Sequence, residues 1–211
     1  MLSLKDQAYE AIKEKIITCQ MLPGDIINER DLIAETGCGR TPVHEALSLL
    51  AREGLVRILP RRGMFVSEVS IKDIHDLYEL KMKIEPLIVR MYGAEIPKEK
   101  LREFREVFHR VKAGVDYSRV DAEFHNMILS YCSNRYYKLI MEIVADQSQR
   151  IRVLTNEEPH RTARSNQEHM EVIDALLSDD IEGAAQAMQR HYENSLENIL
   201  KFGLVSKFVN R

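Results

Sequence analysis

The segment from Arg40 to Gly63 constrains the fold of this chain more than any other part of its sequence. It opens with Thr41 and Pro42, continues with apolar residues at helical spacing, and ends in a β-prone run and Pro-Arg-Arg-Gly, after which a second β-prone run follows at Met64 to Val66. Threonine is a frequent N-cap residue, proline suits the first helical position, and proline with glycine between β-prone runs favours a hairpin. We therefore predict a helix from Pro42 to about Arg52, followed by a two-stranded hairpin with a basic tip.

Two further helices are predicted upstream. The first covers about residues 3–20, because apolar residues recur every fourth position at Leu4, Ala8, Ile12 and Ile16. The second is short, with Asn28 as its N-cap and Gly37 at its end. Three helices and a hairpin form a winged helix-turn-helix, which we predict for residues 1–69.

The remainder of the chain has helical periodicity almost throughout. A long helix should begin near Ile71 and continue through Pro86, because the apolar stripe extends beyond the proline. Further helices are predicted at about 97–113, 117–132, 134–155, 161–177 and 180–202. Short turns favour antiparallel packing, so residues 70–211 should form an all-α antiparallel bundle. The predicted fold is mainly α, with an N-terminal winged helix-turn-helix.

Composition limits the classes of function. The net charge is only −3, so contact with a nucleic acid must depend on local basic residues rather than on the overall balance. The three cysteines lack the paired spacing of a zinc knuckle or a redox motif. No apolar run approaches the roughly 20 residues that span a bilayer. We expect a soluble, cytoplasmic protein with no membrane partner.

A second constellation lies in the predicted bundle. Asp121 and His125 are one helical turn apart and project from the same face, and His169 and His191 are in phase with inner apolar residues of later helices. Three imidazoles and one carboxylate would suit a divalent ion such as zinc, nickel or manganese, with positions left for water or a carboxylate ligand. The alternative is that each histidine is a partly buried core residue with no ion.

These motifs together resemble a known family. The N-terminal part is similar to the winged-helix domain of GntR bacterial transcription regulators, and the rest to the FCD effector domain of the FadR-type subgroup. The residues that carry the first likeness are Pro23-Gly24, Arg40 through Leu47, Glu53 through Val56, and Arg62-Gly63. Those that carry the second are Asp121 through His125, Glu168-His169, Ile173 through Leu176, Asp180, Ala184, Ala185, Met188 and His191.

The resemblance implies a role in DNA binding for the first domain. The residues that match the family's DNA contacts are Arg30, Arg40, Thr41, Arg62 and Gly63. A guanidinium can donate two hydrogen bonds to one guanine edge, while hydroxyl and backbone groups fix the register on phosphates. The family usually has serine or threonine at Gly39 and arginine at His44, so the operator or its affinity should differ from the usual.

The resemblance also implies that Asp121, His125, His169 and His191 bind a metal, and that a small organic acid reaches this metal with its carboxylate. The family's further basic residue, commonly arginine, aligns with Lys81, whose ammonium grips a planar carboxylate less firmly. Arg150 is a second candidate effector-binding residue, because the helix after Asn134 can direct it towards the cavity of the bundle in which the organic acid would bind.

We therefore expect a homodimeric repressor that binds an inverted-repeat operator in double-stranded DNA and responds to a small carboxylate metabolite. Two alternatives stay open: a metal-dependent enzyme with a DNA-binding appendage, and a regulator whose metal is purely structural. We do not predict an enzyme, because no carboxylate stands out as a general base; the nearest in sequence are Glu123 and Glu168.

Overall fold

A computed structural model describes residues 2–110, 115–155 and 159–203. The chain forms two compact units. The first comprises residues up to Ser70 together with Asp146–Leu154, and the second comprises Ile71–Ala145 and the residues from Thr155 onward. The sequence-based division had assigned all of residues 70–211 to one domain, whereas the structure groups Asp146–Leu154 with the first unit.

Three helices form most of the first unit: α1 (Leu4–Ile17), α2 (Glu29–Thr36) and α3 (Arg40–Arg52). The Asn28 side chain caps α2 as predicted, because its Oδ1 accepts a hydrogen bond from the Arg30 amide at 3.1 Å. Gly37 ends α2 with a φ of 66°, a left-handed conformation that glycine adopts without steric penalty.

The start of α3 differs from the prediction. Gly39 is the N-cap and makes no side-chain hydrogen bond there, so Thr41 lies inside the first turn instead of capping the helix. Pro42 is tolerated in this turn because the first four amides of a helix have no intrahelical acceptor. Thr41 consequently exposes its side chain at an electropositive helix end.

The wing is a three-stranded antiparallel sheet. The hairpin strands are β2 (Val56–Leu59) and β3 (Gly63–Val66), and β1 (Ile26–Ile27) pairs with the other edge of β3. The hairpin was predicted, but β1 was not, because two residues are too few to establish an alternating pattern. Strand β1 joins the segment before α2 to the hairpin and so fixes the base of the wing.

The core of the first unit forms where α1, α3 and the wing meet. Its fully buried side chains are Ala8, Ile12, Ile16, Val43, Ala46, Leu47, Leu50 and Val66. The members from α1 and α3 recur at helical spacing, so burial of these two stripes sets the face that α3 turns towards solvent. The candidate DNA-contacting residues of α3, Arg40, Thr41 and His44, are exposed.

The second unit is helical. Its elements are α4 (Ile71–Tyr92), a 3-10 turn (Gly93–Glu95), α5 (Lys98–Arg110), α6 (Val115–Ser130), α7 (Arg135–Thr155, of which Asp146–Leu154 group with the first unit), α8 (Pro159–Leu177), α9 (Ile181–Asn198) and a π-helical turn (Ile199–Gly203). As predicted, α4 continues through Pro86. Ala113, the expected end of the preceding helix, lies outside the described residues.

Helix α9 lies against both α4 and α8, and α5 packs on α8. Burial of apolar side chains such as Ile88, Val172 and Met188 holds these helices together. In the part of the chain that the structure describes, no helix is long and apolar enough to cross a bilayer. Several polar side chains are nonetheless buried within this unit, and they form the candidate site.

Candidate metal centre and nucleic-acid interface

Four side chains predicted as metal ligands converge in the second unit. Asp121 and His125 lie on α6, His169 on α8 and His191 on α9, and one ligand atom from each lies within 4.8 Å of all the others. Asp121, His169 and His191 are buried, and His125 is nearly so. The α-helical spacing on α6 and the inner phase of the other two histidines position them, as the sequence indicated.

The inner atoms are close enough to share one ion. Nε2 of His169 lies 3.2 Å from Nε2 of His125. Oδ1 of Asp121 lies 3.6 Å from Nε2 of His169 and 3.9 Å from Nε2 of His125. Zinc binds imidazole nitrogen at about 2.0–2.1 Å, so an ion bound to both nitrogens would make an N–metal–N angle of roughly 100°, near the tetrahedral value.

The outer nitrogen of His125 is held by a buried carboxylate. Its Nδ1 lies 2.5 Å from Oε1 of Glu85 on α4, and the Tyr192 hydroxyl lies 3.1 Å from the same nitrogen while donating to Oε2 of Glu85. Burial disfavours ionisation of Glu85, but His125, Tyr192 and Lys81 outweigh it and lower its pKa. An ionised Glu85 favours the tautomer in which His125 presents a bare Nε2 to the centre.

The other two histidines are held in the same way. Nδ1 of His169 lies 3.2 Å from the Tyr117 hydroxyl, and Nδ1 of His191 lies 3.0 Å from Oε2 of Glu168. Burial, followed by the neighbouring His191, lowers the pKa of His169 well below its ordinary value. A ring that stays neutral keeps a lone pair for a cation, so this donor set fits a divalent ion.

Lys81, the predicted effector-binding lysine, lies close to this cluster. Its side chain is buried, with Nζ 4.4 Å from the ring centre of Tyr192 and 5.0 Å from that of Tyr78. An ammonium group over two aromatic faces is stabilised by their quadrupoles and tolerates partial dehydration. Tyr192 links it to the cluster, since the same tyrosine contacts His125.

Arg150, the other predicted effector-binding residue, groups with the first unit. There its buried guanidinium donates a hydrogen bond to the Ser67 carbonyl. The part of Arg150 in effector binding stays a prediction.

Sequence reasoning missed the outer partners of the histidines. They are Glu85, Tyr117, Glu168 and Tyr192. One signal was present for Glu85, because it falls in phase with Ile74, Tyr78 and Ile88 on the buried stripe of α4. A glutamate on an apolar stripe needs a partner, but the sequence did not identify which histidine would supply it.

The candidate DNA-contacting residues all lie on the surface of the first unit. Arg30 is in the first turn of α2, Arg40, Thr41 and His44 are at the start of α3, and Arg62 and Gly63 are at the tip of the hairpin; all six are exposed. An exposed helix start directs backbone amides and positive charge outwards, which suits a phosphate. The arrangement can therefore present one helix and one basic turn to a duplex.

The wing tip has an unusual backbone. Arg61 has a φ of 64° and Gly63 a φ of 104°, and the Arg62 amide closes the turn by donating to the Leu59 carbonyl at 3.0 Å. Glycine adopts a positive φ readily, whereas arginine does so only at an energetic penalty. The turn directs both arginine side chains into solvent.

Comparison with known families agrees with this architecture. The model of the FCD domain matches residues 76–194, more than half of the chain, and the model described as bacterial regulatory proteins, gntR family, matches residues 4–66. Among relatives, an HTH-type transcriptional regulator of Bacillus subtilis, YdhC, is 26% identical over 92% of this chain and 89% of its own length. The HTH-type transcriptional repressor RspR of Escherichia coli is 21% identical over 93% of this chain and 89% of its own length.

Solved structures show the same fold. Escherichia coli McbR/YncC superimposes with a TM-score of 0.81 at 18% identity, covering 95% of this chain and 99% of that chain. A putative GntR transcriptional regulator from Rhodococcus sp. RHA1 gives a TM-score of 0.79 at 22% identity. The match covers 93% of this chain and 97% of that chain. The matched families and relatives are transcriptional regulators and not enzymes.

Proposed function

Because this chain is a transcriptional regulator that belongs to the gntR family of bacterial regulatory proteins and carries an FCD domain, we propose that it is a cytoplasmic homodimeric repressor controlled by a small organic acid. The acid binds at a divalent metal, zinc in the first instance and nickel or manganese as alternatives. Asp121, His125, His169 and His191 hold the metal, and the exposed residues of α2, α3 and the wing bind an inverted-repeat operator.

One observation carries the metal proposal. Each of the three clustered histidines has its outer nitrogen occupied by a hydrogen-bonding partner, which leaves three inner nitrogens facing Asp121. Histidines that bind metals almost always have such an outer partner, because it fixes the ring and its tautomer. Histidines that merely fill a core have no need for their inner nitrogens to converge within a few ångströms of a carboxylate.

The donor set also supports an exchangeable ligand. Four protein donors leave positions for water or a carboxylate on an ion that accepts five or six ligands. Lys81 would supply a nearby positive charge to a second carboxylate of the same metabolite. The ion would act as a Lewis acid that holds the acid in place, and no group transfer is required.

The DNA-binding part of the proposal follows from the exposed basic residues. Arg30, Arg40 and Arg62 lie on separate elements of the first unit and are solvent-exposed. Guanidinium groups neutralise phosphates and release counterions, so operator affinity should decrease steeply with salt. The net charge of −3 does not oppose binding when the basic residues are grouped on one domain.

Coupling between the two functions follows from thermodynamic linkage. If the acid binds more tightly to the conformation that fits the operator poorly, it shifts the population away from DNA, typically by about 1–3 kcal/mol. The same coupling free energy must then weaken acid binding when the operator is bound. This reciprocity gives the proposal a second, independent readout.

A selection experiment tests the whole proposal. Metal-loaded protein is used to select DNA from a random duplex pool, and the bound fraction is challenged with zinc, a chelator and a panel of small organic acids. We expect an inverted repeat to be enriched and at least one acid to release it. Failure to enrich any sequence at low salt contradicts the DNA-binding part, and release by none of the acids contradicts the sensing part.

Chelation distinguishes the sensor from a regulator with a purely structural metal. We expect the chelated protein to keep its helical circular-dichroism spectrum and to lose binding of the releasing acid. Loss of the folded spectrum on chelation would favour the structural role, because binding free energy of a structural metal is folding free energy. The same chelation is carried out on His109→Ala, which removes a histidine outside the cluster, since His109 is exposed on α5.

A further inference from the structure

Helix α7 exposes a row of large apolar side chains in the second unit. The exposed fractions are 59% for Tyr136, 56% for Leu139, 38% for Ile140 and 38% for Ile143. These positions are separated by three, one and three residues, which places them on one face of the helix. The face is continuous over two helical turns.

The row is not the part of α7 that packs inside the unit. The buried side chains of this part of the helix, Met141 and Val144, lie on another face. A helix at the surface of a monomeric domain normally has one apolar face and one polar face. An additional exposed apolar row of this size is typical of a surface that binds another molecule.

We propose that this row, which we call the α7 stripe (Tyr136, Leu139, Ile140 and Ile143), packs against the α7 stripe of a second copy in antiparallel orientation. The inference rests on the proposed function, because an inverted-repeat operator requires a two-fold dimer. It adds the surface through which that dimer forms.

The stripe is complementary to its own reversed copy. A two-fold axis perpendicular to α7 reverses the order of its residues, so that Tyr136 lies opposite the partner's Ile143, and Leu139 lies opposite the partner's Ile140. Each opposed pair joins two apolar side chains across the axis. A two-fold contact must be self-complementary in this way, whereas a stripe that binds an unrelated protein need not be.

The charges beside the stripe show the same complementarity. Arg135 and Glu142 are exposed and lie two turns apart on the same flank of the stripe. An antiparallel two-fold pairing brings equal flanks together, so each Arg135 lies near the partner's Glu142. A parallel pairing would place these flanks on opposite sides of the contact. Charge complementarity therefore selects the antiparallel arrangement of two identical helices.

The stripe would form the centre of a larger contact. A stable interface buries about 800 Å² on each partner, which exceeds the exposed area of four partly covered side chains. The flanking charged residues supply part of the polar rim, as interfaces with an apolar centre usually have one. Tyr136 has the largest exposed fraction of the four, and aromatic residues in interfaces often contribute strongly to affinity.

Reversal of charge tests the proposed pairing. The dimer dissociation constant of metal-loaded protein is measured by sedimentation for the wild type, Arg135→Glu, Glu142→Arg and the double variant. Each single change places like charges together and should weaken the dimer about tenfold, and the double variant should recover to within about threefold of the wild type. Recovery is not expected if the single changes act only on the stability of the fold.

An apolar-to-charged change in the stripe provides a second measurement. We expect Leu139→Glu to weaken the dimer about a hundredfold or more, because it buries a carboxylate in the apolar centre of the contact. The matched control is Val107→Glu, since Val107 is a 41% exposed apolar residue on α5. Circular dichroism of both variants checks that the helical fold is retained.

The outcomes separate this inference from the proposed function. A Leu139→Glu protein that remains a dimer and binds the operator overturns the α7 stripe as the interface and leaves the regulator intact. A double charge variant that stays as weak as the single variants also overturns the antiparallel pairing. A wild type that is monomeric at every concentration overturns the inference, and if it also ignores all duplexes at low salt, the proposed function fails with it.

Discussion

Glu168 on α8 accepts a hydrogen bond from His191 on α9, with Oε2 and Nδ1 3.0 Å apart. Its other oxygen, Oε1, accepts from the Asn194 amide at 2.8 Å and lies 3.3 Å from Nε of Arg164. The carboxylate is therefore fixed from three sides and in turn fixes the ring of His191. A residue that touches no ion can thus control the geometry of a ligand that would.

Replacing Glu168 with glutamine should weaken metal binding about 10- to 100-fold, the usual effect of removing an outer partner of a ligand. The amide loses the charge that orients His191 and raises its basicity. Competition with a fluorescent zinc chelator measures the affinity. Glu171→Gln is the control, because Glu171 is exposed on the same helix; equal affinities of the two variants would contradict the role given to Glu168.

Without metal, the protein should lose stability as the pH falls below about 6.5. Burial lowers the pKa of His169 in the folded state, so the unfolded chain takes up a proton that the folded chain does not. The free energy of unfolding should then decrease by up to about 1.4 kcal/mol for each unit of pH until the folded-state pKa is reached. Urea titrations of chelated protein measure this slope.

The variant His169→Gln should lack the part of the pH dependence that comes from this ring, whereas His109→Gln should keep it. His109 is exposed on α5 and is not among the converging ligands. An unchanged slope in the His169 variant would show that other groups account for the loss of stability.

Lys81→Met should lower the affinity for the releasing organic acid at least about tenfold, because it removes a buried cation while keeping a side chain of similar length. Metal affinity should change much less, since Lys81 is not among the converging ligands. Calorimetric titration of zinc and then of the acid separates the two effects. Equal losses of both affinities would assign Lys81 to the stability of the metal centre.

Arg62→Ala should weaken binding to all duplexes to a similar degree and reduce the slope of log affinity against log salt by about 1, as expected for one lost phosphate contact. Fluorescence anisotropy on operator and scrambled duplexes over a salt series measures both quantities. The control, Arg110→Ala, removes an exposed arginine of the second unit. A loss confined to the operator would instead indicate that Arg62 reads a base.

His44 and Glu29 should act together on base preference. Nδ1 of His44 on α3 lies 3.4 Å from Oε2 of Glu29 on α2, and the His44 side chain is exposed. We expect His44→Ala to relax preference at one base position by about 1–3 kcal/mol. Glu29→Gln should relax the same position less. Selection of DNA by each variant tests this pairing, and effects at different positions would contradict it.

Much of the fold could be predicted from local signals. Asn28 caps α2, and the apolar stripes of α1 and α3 are buried, because short-range hydrogen bonding and helical periodicity determine them. The start of α3 was placed too late, since Gly39 has no side chain to mark a cap. Strand β1 depends on pairing with the distant β3, which no local pattern encodes.

The candidate site was predictable to a similar extent. The histidines were found because each lies on the inner stripe of its own helix, which is a local property. Their outer partners Glu85 and Glu168 were missed because pairing between different helices depends on how those helices pack. The grouping of the last turns of α7 with the first unit was not foreseen for the same reason.

The convergence of ligands from α6, α8 and α9 has a kinetic consequence. His125 and His169 are separated by 44 residues, and His169 and His191 lie on successive helices, so a bound ion would close long loops of the chain in the way that a disulfide does. Global opening would then have to await departure of the ion. The resistance of this half of the molecule to proteases should accordingly follow the dissociation rate of the metal rather than the equilibrium stability of the apoprotein.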